Sequence, residues 1–375
     1  MTRPSEASAT EPRAGAILTI DLDAVVRNWR RLAELAAPAA CAAVVKADGY
    51  GIGARKVAPR LYQAGARSFF VAHLEEALAL GTVLPGEATI GVLNGLISAH
   101  ASVYLAHGFV PVLNHLGEIA AWRDEAARTG RALPAFVQLD TGMNRLGLDA
   151  GEAERLIAEP GRLDGIAVRA WISHLACADE AGHPMTAAQR QRFADLLARL
   201  PAAPASLANS SGIFRGPEMH FDLVRPGCAL YGVNPKPEAV SPVEPVIRVD
   251  ARVLQVRDAP AGGSVGYGAG HPLPRDARIA TLAIGYADGY LRTGSGRGFV
   301  TISGHKAPIV GRVSMDLVTV DVSALPRDLC RPGAWATVIG PDRGVDQVAA
   351  DAGTIGYEIL TDLGARYERR YTPIG

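Results

Sequence analysis

The sequence predicts an α/β protein: an N-terminal (β/α)8 barrel of the TIM type, followed by a mostly antiparallel β domain. Three observations predict it. Short apolar runs rich in β-branched residues alternate with amphipathic stretches through the first two thirds of the chain. Counted from Lys46, eight such units fit within about 250 residues, the size of one barrel. Beyond about Pro235 the texture changes to period-2 segments joined by Gly- and Pro-rich connections. A doubly wound parallel sheet also accounts for the alternation, and the pattern alone leaves it open.

The elements follow in order. Residues 1–14 are small and polar, contain Pro4 and Pro12, and read as a disordered tail. Ile17–Leu22 is a short apolar strand, placed to pair with the C-terminal domain. Asp23 is a fair N-cap for a helix whose Val25, Val26, Trp29, Leu32 and Leu35 share a face. The run Cys41–Val45 is a buried strand ended by Lys46. Further strands are expected at Ser68–His73, Thr89–Leu93, Phe109–Leu113, Ala135–Leu139, Ala167–His174 and Ser206–Ala208, with a short one near Ala229–Tyr231. Helical stretches lie between them at Glu75–Leu80, Leu116–Arg128, Ala150–Ala158 and Thr186–Leu200. Pro237, Pro242 and Pro245 punctuate a linker. The barrel is therefore assigned to 15–238 and the β domain to 239–375. Strands Val246–Val256, Ile279–Ile284, Val300–Ile302, Leu317–Val322 and Trp335–Ile339 are expected there, with a helix at Val345–Ala352.

Composition narrows the function classes. The chain has 375 residues, 48% of them hydrophobic, enough for two cores. Lys+Arg and Asp+Glu are both 38, and this zero net charge argues against a nucleic-acid or anionic-membrane partner. No apolar run is long enough to span a bilayer, and no signal peptide is read at the start. Cys41, Cys177, Cys228 and Cys330 are scattered without metal or disulfide spacing, which fits reduced thiols in a cytoplasm.

The stretch Val44-Val45-Lys46-Ala47-Asp48-Gly49-Tyr50-Gly51 carries the first chemical signal. It places one lysine where a strand stops and a glycine-rich loop opens. A lysine held against an apolar strand can lose its proton and attack a carbonyl. The glycines let backbone N–H groups approach a phosphate. Pyridoxal phosphate has both an aldehyde and a phosphate. Gly49, Gly51 and Ala54, with Glu75 further on, also match a dinucleotide loop, a weak signal by itself. A solvated strand-end lysine is the plainest alternative.

Other fragments decide between these. They are Gln138-Leu139-Asp140-Thr141-Gly142-Met143-Asn144-Arg145, Ser173-His174, Asn209-Ser210-Ser211 and Arg225-Pro226-Gly227. The β domain adds Gly266-Tyr267-Gly268, Gly285-Tyr286-Ala287-Asp288-Gly289, Gly311-Arg312-Val313-Ser314-Met315-Asp316 and Gly356-Tyr357-Glu358. Taken singly, His174 reads as a core histidine and Tyr267 as a turn aromatic. The ordered set strongly resembles the alanine racemase family over nearly the whole chain beyond the tail.

That resemblance implies a homodimeric isomerase with pyridoxal 5'-phosphate at each barrel mouth and sites shared between subunits. It implies that Lys46 holds the cofactor and acts as one base, and that Tyr267 of the other subunit is the second base. Tyr50, Ser210, Gly227 and Tyr357 would bind the phosphate. Arg225, supported by His174, would face the pyridine nitrogen. Arg145 and the N–H of Met315 would hold the substrate carboxylate. Tyr286 and Tyr357 would narrow the entrance, with Asp179 and Arg292 paired further out. No metal is implied. Racemisation removes a proton on one face and returns it on the other, which calls for two opposed bases. A guanidinium only donates, so a pyridine facing Arg225 stays unprotonated and is a weaker electron sink.

There are two departures. Gln138 stands where many members have a carbamylated lysine, so either Gln138 bonds Arg145 directly or an anion fills the gap. Ile52 replaces a histidine of the loop. The expected function is interconversion of L- and D-alanine, supplying D-alanine for the cell wall or degrading it. A broader amino-acid racemase and a non-catalytic pyridoxal-phosphate binding protein are the alternatives.

Overall fold

The computed structural model describes residues 12–373, so most of the tail expected at residues 1–14 lies outside the described residues. The chain forms two compact units. One is Leu22–Glu244. The other joins Pro245 onward to the N-terminal segment that ends at Asp21.

In the first unit every strand is parallel to its neighbours. Ala43–Val44, Ser68–Val71, Thr89–Val92, Val110–Leu113, Leu133–Gln138, Ile166–Ile172 and Ala205–Ser206 pair in that order. The sequence of strands never reverses, as it would in a doubly wound sheet. Leu223–Val224 completes the ring. It pairs with Ala40–Cys41 on one side, and on the other Asp222 N and Arg225 N donate to Ala205 O and Ala208 O. Ala40–Cys41 and Ala43–Val44 are one strand interrupted at Ala42, so the barrel has eight strands, as predicted. Val44, Phe69, Phe70, Val112, Phe136, Trp171 and Val224 are buried along them. The outer helices include Leu22–Ala36, Ala54–Ala64, Leu74–Gly81, Leu116–Thr129, Ala150–Ala158 and Pro184–Leu197. Asp23 lies in the first turn of its helix rather than capping it, and pairs with Arg60.

One predicted strand is wrong. Residues 228–231 form a tight helical turn, Cys228–Tyr231, and the eighth strand lies earlier, at Leu223–Val224. A short buried apolar run does not reveal its period. Here Pro226-Gly227 turns the chain out of the sheet before that run begins.

In the second unit the sheet order is Ala277–Leu282, Val318–Asp321, His305–Val310, Phe299–Ile302, Trp335–Ile339, Ile247–Ala259, Ala16–Asp21, Glu368–Thr372. All its pairings are antiparallel except that of the last two strands. The 13-residue strand Ile247–Ala259 pairs with Trp335–Ile339 through its first half and with Ala277–Leu282 through its second. A register shift between Val253 and Gln255 bends it, which lets six strands close on themselves. His305–Val310, Glu368–Thr372 and the helix Gly356–Thr361 were not expected from the sequence. His305–Val310 carries a proline, a lysine and a histidine, and its alternation is broken.

Candidate active site

Lys46, Arg145, His174, Ser210 and Arg225 all follow the C-terminal ends of barrel strands, the end at which barrels of this type place their chemistry. The chain leaves the first strand through an unusual turn. Ala47, Asp48, Gly49 and Tyr50 have φ of 53, 51, 64 and 54°, a single left-handed turn with Lys46 at one end and Tyr50 at the other. Its three non-glycine residues cost roughly 1–2 kcal/mol each. Hydrogen bonds over-determine the shape. Gly49 N donates to Val45 O, Gly51 N to Ala47 O and Gly53 N to Asp48 O, at 2.9, 2.7 and 2.8 Å. The Asp48 carboxylate accepts Ala54 N at 2.8 Å and caps the following helix. The Glu76 carboxylate accepts Ala47 N with one oxygen, and Ala72 N and His73 N with the other, at 2.7 and 3.1 Å. Hydrogen bonds to a charged acceptor contribute about 1.5–3 kcal/mol each, enough to offset the strain.

Lys46 is half-buried. Loss of water lowers its pKa, the neighbouring Arg145 lowers it further, and Glu76 opposes them. His174 lies in the same electrostatic cluster. Burial pushes its ring down to about 3, and Arg225, Arg145 and Lys46 add to this, so the imidazole is neutral. Arg225 is only 5% exposed and burial brings it down to about 10, so it keeps its charge near neutral pH. It donates to Ser206 Oγ and Ser173 O. No carboxylate is paired with it among the described residues, which is unusual for a buried arginine.

A cradle closes the other side. Ser210 Oγ accepts Gly227 N at 2.9 Å and Ala229 N at 3.3 Å, which leaves its O–H proton for another acceptor. The Tyr50 ring stacks on Tyr231 at 4.7 Å, and Tyr231 O–H donates to Val44 O at 3.0 Å. A Cβ on Gly227 would lie 3.0 Å from Tyr50 Cζ and closer still to its hydroxyl. The Gly227 N–H is occupied by Ser210, so what Gly227 contributes is its missing side chain. This donor set fits a phosphorylated aldehyde. Hydroxyls converge where a phosphate would sit, a lysine of lowered pKa stands nearby, and the buried cation needs a neutral or electron-rich partner.

Arg145 is exposed in a loop built by Asp140, whose carboxylate accepts Gly142 N, Met143 N and Asn144 N at 2.8, 2.9 and 3.0 Å. Of the two arrangements expected at Gln138, the direct bond to Arg145 is not the one formed. The Gln138 amide nitrogen donates to Leu146 O at 2.9 Å and braces the base of this loop, and no bond joins it to Arg145 among the described residues.

In the β unit Tyr267 is 71% exposed on a turn whose Gly266, Gly268 and Ala269 have φ of 80, 70 and 49°. The Arg312 guanidinium packs beneath that turn, 3.1 Å from where a Cβ on Gly268 would lie. A cavity of about 440 Å³ opens beside Tyr267, lined also by Arg257, Arg312, Ser314 and Leu317. Met315 is 54% exposed, and its carbonyl accepts Ala287 N at 3.0 Å. The two loops interlock at Gly285, where a Cβ would come within 2.5 Å of Asp316 N. Asp288 accepts Gly285 N at 2.9 Å, while Arg366 bonds Asp288 at 2.7 and 2.8 Å and Asp316 at 2.6 Å. Tyr357 is exposed in the first turn of Gly356–Thr361, Tyr286 is exposed on the Gly285 loop, and Arg292 is exposed nearby in sequence. Asp179, in the barrel unit, is exposed, and its carbonyl accepts Arg215 Nη2 at 3.1 Å.

Sequence reasoning assigned no role to Glu76, Asp140, Ser206, Gln189, Asp288 or Arg366. Gln189 is fully buried and holds Ala176 N and His174 O, both at 2.8 Å. Glu76 had a signal, since an acid three residues after a strand-end polar residue caps a helix. Gln189 and Arg366 reach partners far away in sequence and had none. Among the described residues, no group of three or more His, Cys, Asp or Glu is placed to hold a metal, and no helix is long and apolar enough to cross a membrane.

The models of the alanine racemase N-terminal and C-terminal domains match residues 20–235 and 246–371. The chain belongs to the alanine racemase family. It is 49% identical over 362 residues to alanine racemase of Rhodospirillum rubrum, covering 96% of this chain and 97% of that protein. It is 46% identical to that of Brucella abortus, covering 99% and 97%. The crystal structure of alanine racemase from Bartonella henselae with covalently bound pyridoxal phosphate superposes with a TM-score of 0.93 at 45% identity, over 96% of this chain and all of that one. The biosynthetic alanine racemase of Pseudomonas aeruginosa superposes with a TM-score of 0.89 at 36% identity, over 96% and 99%.

Proposed function

We propose that the protein is a cytoplasmic alanine racemase that interconverts L- and D-alanine with pyridoxal 5'-phosphate, as a homodimer whose sites draw on both subunits. One observation carries this reading: a lysine of lowered pKa shares its left-handed turn with the tyrosine of a glycine-opened cradle. The covalently bound cofactor named for the Bartonella henselae relative supports it. When bound, the cofactor supplies an electron sink that lowers the barrier to removing an amino acid's α-proton.

The chain's own residues do the rest. Lys46 would hold the aldehyde, and its amine would take or give the proton on one face. Tyr50, Ser210 and Tyr357 would hold the phosphate. Arg225 would face the ring nitrogen, and because its guanidinium keeps its protons it would limit electron withdrawal and disfavour side reactions. Neutral His174 lies beside these cations without adding charge. Arg145 and the N–H of Met315 hold the substrate carboxylate; among the described residues no acceptor is bonded to that N–H. Tyr267 of the partner subunit carries the proton on the opposite face. Its exposure, with that of Tyr286, Met315 and Tyr357, supports a contact surface on the β unit.

Subunit mixing tests this arrangement. Lys46→Ala and Tyr267→Phe proteins are each expected to be inactive as homodimers. After full exchange in equal amounts, each mixed dimer has one site with both substitutions and one with neither. Roughly a quarter of all sites should regain activity on that symmetry. A fully exchanged mixture without activity would remove Tyr267 as a base contributed across an interface.

A further inference from the structure

We propose that Glu76 is a positioning residue for the cofactor: its carboxylate locks the left-handed turn that fixes the distance between Lys46 and Tyr50. This rests on the reading that Lys46 holds the aldehyde and Tyr50 the phosphate.

The two ends of a phosphorylated aldehyde are a fixed distance apart. A protein that grips both ends gains affinity only if its two grips keep the matching separation. Here the grips are four residues apart in the chain, and every residue from Ala47 to Tyr50 is left-handed. L-residues leave that conformation unless it is held. The turn's own backbone bonds hold its later part, and Asp48 fastens it to Ala54 N. At its first residue the Ala47 carbonyl accepts Gly51 N, and the Ala47 N–H is held by Glu76 Oε1. Glu76 is itself fixed from behind, because its other oxygen accepts Ala72 N and His73 N from the end of the neighbouring strand. The carboxylate thus ties Lys46's turn to a second barrel strand. Among the described residues it makes no hydrogen bond to Lys46 or to the cradle, so it sets the shape of the turn through the backbone. Its charge also sustains the pKa of Lys46 against burial and Arg145.

Glu76→Gln keeps the shape of the side chain but cannot accept with both ends, because its NH2 would meet N–H donors. The test compares pyridoxal 5'-phosphate with pyridoxal, which lacks the phosphate. Full-length protein freed of cofactor is titrated with each aldehyde. Visible absorbance gives the affinity, and borohydride reduction followed by mass spectrometry confirms attachment at Lys46. Wild-type protein should strongly prefer the phosphorylated form. In Glu76→Gln that preference should shrink at least tenfold, equivalent to ~1.4 kcal/mol. Adding Ala47→Gly, which tolerates the left-handed conformation, should restore part of it. Exposed Glu75, one residue away, serves as control, and Glu75→Gln should leave the preference unchanged.

A general structural role would weaken both aldehydes equally. An unchanged preference in Glu76→Gln would therefore overturn the proposal, as would a double variant with no recovery. Should the single variant not fold, the double variant is compared with Ala47→Gly alone, and a double variant that folds yet has lost the preference overturns it. Wild-type protein that takes neither aldehyde onto Lys46 would overturn the functional reading and this inference with it.

Discussion

Replacing Gly227 by alanine perturbs the cradle at its tightest point. The new Cβ would lie 3.0 Å from Tyr50 Cζ and nearer still to the hydroxyl, so the ring must shift by roughly 1 Å to regain ordinary contact. It has little room to do so. Tyr50 is buried and stacked on Tyr231, which is fully buried and anchored by its hydroxyl to Val44 O. Overpacking of this kind costs about 1–3 kcal/mol. If the cost falls on the bound conformation of Tyr50, affinity for pyridoxal phosphate drops by roughly 5- to 150-fold. Equilibrium titration of cofactor-free Gly227→Ala protein, followed by absorbance, measures this directly, and thermal unfolding of the same sample shows how much cost falls on the fold itself. A variant that binds pyridoxal phosphate with wild-type affinity and unfolds at the wild-type temperature would refute the idea that the missing side chain opens this site.

Two further outcomes are expected. The folded pKa of His174, about 3, lies below the value of 6.5 for a free imidazole, so the unfolded chain binds the extra proton in between. Stability from this residue is therefore present above about pH 6.5 and lost as pH falls towards 3. In His174→Gln the fall in urea midpoint between pH 7 and pH 4 should be shallower than in wild type, and an equal fall would show that His174 is not held neutral. Gln138→Lys should release Leu146 and place an amine beside the Arg145 loop. Activity that rises with added bicarbonate is expected from a carbamylated lysine; no response, with mass spectrometry showing the lysine unmodified, would mean this pocket does not accept the modification.

How much was legible depended on how local the cause was. The alternation of apolar runs and amphipathic stretches placed most strands and helices of the barrel, because period is a property of the chain itself. Lys46 was legible because a strand end, a lysine and a glycine-rich turn lie within a few residues. The left-handed turn after it was not. Ala47 carries no signal of positive φ and Asp48 only a weak one, and their conformation is imposed partly by Glu76 from the helix after the next strand. Cys228–Tyr231 was misread as a strand because burial, not periodicity, makes that run apolar. Gln138 and Arg145 were both singled out, yet their relation was not predictable. Which acceptor an amide selects depends on how Asp140 folds the intervening loop. The sequence also said nothing of Arg366, whose partners Asp288 and Asp316 are 78 and 50 residues away.

The most direct test of the central claim is chiral chromatography of alanine after incubation with the cofactor-loaded protein, started separately from the L and the D enantiomer. Racemisation has an equilibrium constant of one by symmetry, so both reactions should converge on equal amounts of L- and D-alanine with total alanine conserved. Lys46→Ala protein should leave each enantiomer unchanged. Loss of alanine to its keto acid, or no inversion from either side by a protein shown to carry the cofactor on Lys46, would contradict the account.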